Sequence, residues 1–191
     1  MKPPSARPKS AAATRQAMLD AAKMRFLQES YENVGLRDIA RDAGVDVALV
    51  SRYFGSKEEL FREVLGEDRK EEIFPKALGE AEIPSYLARL FVQQGEKGNR
   101  HVERLLIMLR SASSPAASTI VRETLRTGVL RAFADRLQGE DAELRASNAM
   151  AVWMGMTILR TVMALEPLCS RDIEHRLRRL FEAALSEGTS R

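Results

Sequence analysis

The sequence predicts an all-α protein, a small head of three helices followed by a body of six. Three observations predict it. Apolar residues recur every three or four positions along most of the chain. No segment shows the alternation of a half-buried strand, and no internal repeat is visible. The apolar runs are bracketed by Ser, Thr, Asp, Gly and Pro at positions where helices start and stop. The 191 residues, 45% hydrophobic and 30% charged, suffice for a core without disulfides or metals. The single cysteine, Cys169, excludes an intrachain disulfide. With no signal-like apolar stretch near the start and no run long enough to span a bilayer, a cytoplasmic, non-membrane protein is expected.

Residues 1–13, rich in Pro, Ser and Ala with scattered Lys and Arg, read as a disordered basic arm. Thr14 is the expected N-cap of a first helix ending near Ser30, with Met18, Ala21, Ala22 and Phe26 inward. Leu36–Ala43 makes a short second helix, its inward face Leu36, Ile39, Ala40 and Ala43. Gly44 follows, Asp46 caps a third helix over Val47–Phe54, and Gly55 ends it. Ser56 then caps a fourth helix, with Glu59 as capping-box partner, which stops before Pro75.

After a connection over residues 79–84, five more helices are expected. The first covers 85–95 with Leu87, Leu90 and Phe91 inward. The second covers 99–113 with Val102, Leu105, Leu106 and Leu109 inward. A long helix covers 115–138 with Ile120, Leu125, Val129, Phe133 and Leu137 inward. The last two cover 141–165 and 170–185, separated by Pro167.

The stretch LRDIARDAGVDVALVSRYFGSKEELF, Leu36 to Phe61, has the physics of a helix–turn–helix. Ala40 permits close helix approach, Gly44 takes the positive φ of a sharp turn, and Val45 and Val50 plug the second helix onto the first. The outward face then holds Val47, Ala48, Ser51 and Arg52. Small and apolar side chains there suit thymine methyls in a major groove, and Arg52 suits guanine or phosphate. Lys57, in the first turn of the next helix, adds an ammonium to backbone N–H groups that favour phosphate. Charge agrees: up to Lys57 the chain carries ten Lys or Arg against six Asp or Glu, whereas the remainder is near balance.

These residues resemble the tetracycline-repressor (TetR-type) family of bacterial regulators. The resemblance rests on the helix beginning at Thr14, on DIA at Asp38–Ala40, on AGV at Ala43–Val45 and on RYFGSKEEL at Arg52–Leu60, with matching spacing between them. It implies a helix–turn–helix DNA-binding domain over residues 14–58 and a ligand-binding and dimerisation domain over 59–191. It further implies groove-facing roles for Val47, Ala48 and Leu49, and phosphate contacts by Tyr53 and Lys57. Many relatives carry Thr or Ser where Val34 and Gly35 stand, and Arg37 is the substitute phosphate ligand here. Many also carry Tyr at the position of Ser51, so a contact there is shorter or runs through water.

The same resemblance implies a homodimer through the last two helices. The sequence is compatible: residues 151–165 are apolar nearly all round, and Ala151, Gly155 and Thr157 permit close approach. It also implies an effector pocket in the body, with Leu87, Phe91, Arg104, Met108, Trp153 and Met156 as lining and a largely apolar small molecule as ligand. Arg110 and Arg160 interrupt apolar stretches, and either meet an anionic ligand group or serve in salt bridges and snorkelling. Lys2, Arg7, Lys9 and Arg15 either follow DNA or belong to a solvated tail.

No cofactor, metal or enzymatic activity is expected. His101 and His175 lie far apart and outside any metal-ligand cluster, and Cys169 has no base nearby in sequence. The expected function is a ligand-responsive DNA-binding repressor. Its rivals are an enzyme, disfavoured by the missing catalytic cluster, and a helical interaction module that has lost operator binding.

Overall fold

The computed structural model describes residues 10–66, 74–93, 100–170 and 172–187. Among them there is no strand. The helices are α1 (Ala11–Gln28), α2 (Leu36–Ala43), α3 (Val47–Phe54), α4 (Lys57–Gly66), α5 (Ile83–Gln93), α6 (Arg100–Ser111), α7 (Pro115–Leu125), α8 (Arg131–Ala134), α9 (Ala142–Thr161) and α10 (Ile173–Leu185). The all-α expectation holds, and with α7 and α8 counted as one interrupted helix the described residues form nine. None of these helices is long and apolar enough to cross a membrane. Residues 1–9, most of the predicted basic arm, and the predicted continuation of α4 beyond Gly66 lie outside the described residues.

The chain forms two compact units, one of Met1–Glu67 with Leu106–Val121, the other of Asp68–Leu105 with Arg122–Arg191. The first unit is built on α1. Met18, Leu19, Ala22 and Phe26 are buried against Ile39, Ala40 and Ala43 of α2, Val50 and Phe54 of α3, and Leu60, Phe61, Val64 and Leu65 of α4. Phe26, Tyr31 and Phe61 form an aromatic knot, the Phe26 and Phe61 rings edge-on at 4.8 Å and Tyr31 and Phe61 at 5.0 Å. Arg25 pairs with Asp42 and with Glu29, which ties α1 to α2. Arg15 pairs with Glu63 of α4 and lies 4.9 Å from the centre of the Phe54 ring.

Helix ends explain most boundaries. α2 closes in a Schellman turn: Gly44 at φ +67° donates to Arg41 O at 3.2 Å, and Val45 donates to Ala40 O at 3.0 Å. The Asp46 carboxylate then accepts from Ala48 N–H at 2.7 Å and starts α3. Ser56 caps α4 by accepting from Glu59 N–H at 3.2 Å, but the Glu59 carboxylate takes Arg62 at 2.6 Å instead of closing the expected box.

Four expectations are corrected. α1 is capped by Ser10, not Thr14: Ser10 accepts from Ala13 N–H at 3.1 Å, and the three alanines between are the best helix formers. On α6, Leu109 is 47% exposed while Ile107 and Met108 are buried, because two apolar stripes compete on that helix. The long helix over 115–138 is interrupted by a π segment, Arg126–Leu130, and ends at Ala134. The buried Thr124 and Phe133 stand nine positions apart, two and a half α-turns, which a regular helix would place on opposite sides; the wide turn between them reduces that offset. Thr157, expected on a contact face, is fully buried.

The second unit packs α5, α8, α9 and α10 around Ile83, Leu87, Phe91, Phe133, Leu137, Ala146, Ala149, Ile173, Leu177 and Phe181. Arg145 is buried at its edge. Its guanidinium pairs with Asp141 at 2.8 Å and Glu80 at 3.3 Å, and donates to Leu185 O at 3.0 Å and to Gln138 O. One side chain thus ties together the ends of α9 and α10 and the turn before α5.

Gly44→Ala should destabilise the first unit by about 1 kcal/mol, because the left-handed turn is strained for any residue with a Cβ. Chemical denaturation at neutral pH measures it, and an unchanged midpoint would show that the turn relaxes without cost.

Candidate functional site

The α2–α3 hairpin exposes what its buried side leaves over. Val50 and Phe54, four residues apart, anchor α3 in the core. Ala48, Ser51 and Arg52 consequently face solvent, and Val47, Leu49 and Tyr53 are half-buried at the flanks. Arg37 is exposed in the first turn of α2. Lys57 is half-buried, its ammonium 4.3 Å from the centre of the Tyr31 ring. None of the eight predicted contact residues is buried.

Local electrostatics follow from these neighbours. Burial lowers the Lys57 ammonium below the usual lysine range, opposed by the charges of Glu32 and Glu58. The Tyr31 hydroxyl is pushed up, first by burial and then by Glu58. Glu58 is held low by its own backbone N–H and then by the Ser56 hydroxyl, as befits a carboxylate in the first turn of α4. α2 has no side-chain cap, since its N-cap is Gly35. A Cβ at Gly35 would stand 3.0 Å from an Asp38 carboxylate oxygen, so α2 starts on bare backbone beside an acid.

The predicted effector lining separates between the units. In the second, Leu87 and Phe91 are buried on α5, Trp153 and Met156 pack half-buried against the same core, and Arg104 is half-buried on α6. Met108 is buried in the first unit. An open cleft of about 250 Å³ along α5, lined by Tyr86, Arg89, Leu90 and Gln93, shares no residue with that lining.

The two arginines left open by the sequence resolve differently. Arg110 donates to Gln28 O at 2.9 Å and caps the C-terminus of α1. Arg160 donates to Phe91 O at 2.6 Å and lies 3.7 Å from the centre of the Phe91 ring. Sequence reasoning passed over His101, whose ring meets Trp153 edge-on at 6.1 Å, because a lone histidine carries no pattern.

An all-helical chain whose exposed recognition helix follows a glycine-bent turn defines the helix–turn–helix regulators. Residues 18–64 match the family described as bacterial regulatory proteins, tetR family, and residues 81–186 match the tetracyclin repressor-like C-terminal domain. The chain belongs to the TetR family of transcriptional regulators. Over 51 residues it is 45% identical to the HTH-type transcriptional regulator BetI of Agrobacterium fabrum, a match covering 27% of this chain and 25% of that protein. The chain thus aligns with about a quarter of that relative's length. Its fold is similar to that of GusR from Salmonella enterica, with a TM-score of 0.74 at 15% identity, covering 94% of this chain and 99% of that one. It is also similar to the multidrug binding protein EbrR, solved with ethidium, with a TM-score of 0.68 at 19% identity, covering 91% and 99%.

The Arg25–Asp42 pair yields a pH prediction. Arg25 holds the Asp42 carboxyl below its ordinary value, through a hydrogen bond first and its charge second. A depressed folded-state value adds stability that is present above the unfolded value of about 3.9 and is lost as pH falls through the folded one. Asp42→Asn should therefore be less stable than wild type at pH 7, and the gap should close below pH 3. Urea midpoints at both pH values measure it; a gap that stays constant with pH would refute the coupling.

Proposed function

We propose that the chain is a repressor that holds operator DNA as a homodimer and is released by a small molecule. The observation that carries this reading is the α3 surface. A helix pinned by Val50 and Phe54 leaves Ala48, Ser51 and Arg52 to solvent, with Val47 and Leu49 beside them. In this reading Val47, Ala48, Leu49 and Ser51 meet base edges, while Arg37, Tyr53 and Lys57 hold phosphates and Arg52 holds either. The half-buried Lys57 ammonium is already partly desolvated, which lowers the cost of seating a phosphate on it.

The assignment of operator binding to residues 14–58, and of effector binding and dimerisation to 59–191, belongs to the same proposal. So does a cytoplasmic, non-enzymatic role. Support for the dimer comes from α9. The exposed Leu144, Asn148, Ala151 and Leu159, the half-buried Gly155 and the exposed C-cap Val162 recur at steps of four and three, the spacing of a helix–helix seam. Leu144 is 62% exposed, Met163 just beyond the helix is 60% exposed, and α10 adds Leu180. Effector release follows from differential affinity of the ligand for two dimer states. EbrR, solved with ethidium, is a neighbour in fold whose small-molecule binding fits this reading.

Electrophoretic mobility with the DNA flanking its own gene tests the proposal; salt-sensitive, sequence-selective retardation is expected, and none at low salt overturns it. Lys57→Ala should weaken binding to all sequences alike, whereas Ala48→Ser should change base preference at one position of each half-site. Equivalent effects from the two variants would contradict the assignment.

Gly155→Leu tests the dimer. A Cβ at Gly155 meets nothing within 4 Å, so a side chain can leave the backbone there without a clash in the protomer. The variant should fold normally and dimerise at least about tenfold more weakly, as read by sedimentation equilibrium. Unchanged dimerisation would move the interface away from this face.

A further inference from the structure

The inward stripe of α9 carries more hydrogen-bond donors than the protein uses. Trp153, Thr157 and Arg160 follow one another at steps of four and three, so their side chains share one face. The Trp153 indole N–H and the Thr157 hydroxyl are both buried, and neither has a hydrogen-bond partner among the described residues. Thr157 is fully buried, in surroundings where native proteins leave few polar groups unmade. Arg160 completes the row as a half-buried cation. It uses one nitrogen on Phe91 O and stacks on the Phe91 ring, and no carboxylate among the described residues pairs with it. Burial pushes its guanidinium down, and the acidic group acting on it is the Cys169 thiol.

The surroundings of this row are largely apolar. Phe91 and Leu87 are buried in the core, Trp153 and Met156 pack half-buried against it, and His101 meets Trp153 edge-on. At 1.5 Å rise per residue, Thr157 stands about 6 Å along the axis from Trp153 and about 4.5 Å from Arg160. A carboxylate suits the Thr157–Arg160 end by its chemistry, because a hydroxyl donor and a guanidinium three residues apart on one helix face are the donors such a group takes. A second acceptor at the far side of an aromatic ring fits the Trp153 N–H.

We infer that the effector is an aromatic acid. Its carboxylate is received by Thr157 and Arg160, its ring lies against Phe91 and Trp153, and a second oxygen accepts from the Trp153 indole. The inference rests on the repressor reading above and adds the charge of the ligand to it. A neutral ligand leaves the Arg160 cation uncompensated, and a cationic one is repelled by it.

Trp153 is the single tryptophan of the chain, so its emission reports on this site alone. The full-length protein is titrated with 4-hydroxybenzoate, with its neutral twin 4-hydroxybenzamide, and with ethidium, reading Trp153 emission and release of the protein's own flanking DNA. 4-Hydroxybenzoate should saturate the Trp153 signal and release DNA, with at least about tenfold higher affinity than the amide. Arg160→Gln should abolish that preference, and Arg160→Lys should restore part of it. Because Arg160 also caps α5, thermal unfolding accompanies each variant. Thr157→Val, close in shape and without the hydroxyl, should weaken 4-hydroxybenzoate while leaving the fold intact.

Equal affinity for acid and amide, a preference that survives Arg160→Gln, or no response to 4-hydroxybenzoate overturns the inference. If ethidium releases DNA and the acid does not, the inference fails and the repressor reading stands. If no DNA is bound under any condition, the repressor reading fails, and the preference of acid over amide still decides the chemistry of the row.

Discussion

The bend between α2 and α3 is the constraint on which the rest of the head depends. Three residues separate two short helices, and the chain reverses only because Gly44 accepts a left-handed conformation. The Schellman pair at Gly44 and Val45 uses up the loose carbonyls of α2, and the Asp46 cap uses up a loose N–H of α3. With both ends satisfied locally, Val50 and Phe54 fix the rotation of α3, and every outward residue follows from that rotation. An eight-residue helix has little stability of its own, so this anchoring sets which side faces solvent.

Where a boundary is set by local chemistry, it was legible. α2 ends at the left-handed Gly44 and α3 starts on the Asp46 cap, where local chemistry places them. α1 was misjudged because Ser and Thr are both capping residue types, and the alanines between Ser10 and Thr14 carry the helix to the earlier one. Burial was harder. α6 offers two apolar stripes, and choosing Met108 over Leu109 needs the partner surface, which no spacing contains. Arg110 and Arg160 looked alike in sequence, yet one ends α1 and the other lies across Phe91.

α9 shows the same limit from the other direction. Its composition announced a helix apolar on more than one side, and both sides are occupied in kind: one lies in the core through Ala146, Ala149 and Thr157, the other presents Leu144, Ala151 and Leu159. Which small residue belongs to which side was not readable, and Thr157 fell on the inner one. The donors that give the inner stripe its chemistry are ordinary residues; Trp153 and Thr157 are distinguished only by having no acceptor among the described residues once folded. The three-dimensional arrangement, not residue type, makes them informative.

The wide turn at Arg126–Leu130 bears on how such chains are aligned. A π segment is an α-helix carrying one residue too many, so a relative lacking that residue keeps the same interior with an ordinary turn. A position-by-position comparison with a relative that lacked the extra residue would slip by one register beyond it. The helix therefore contains a seam where chain length can drift while the side chains facing inward keep their places.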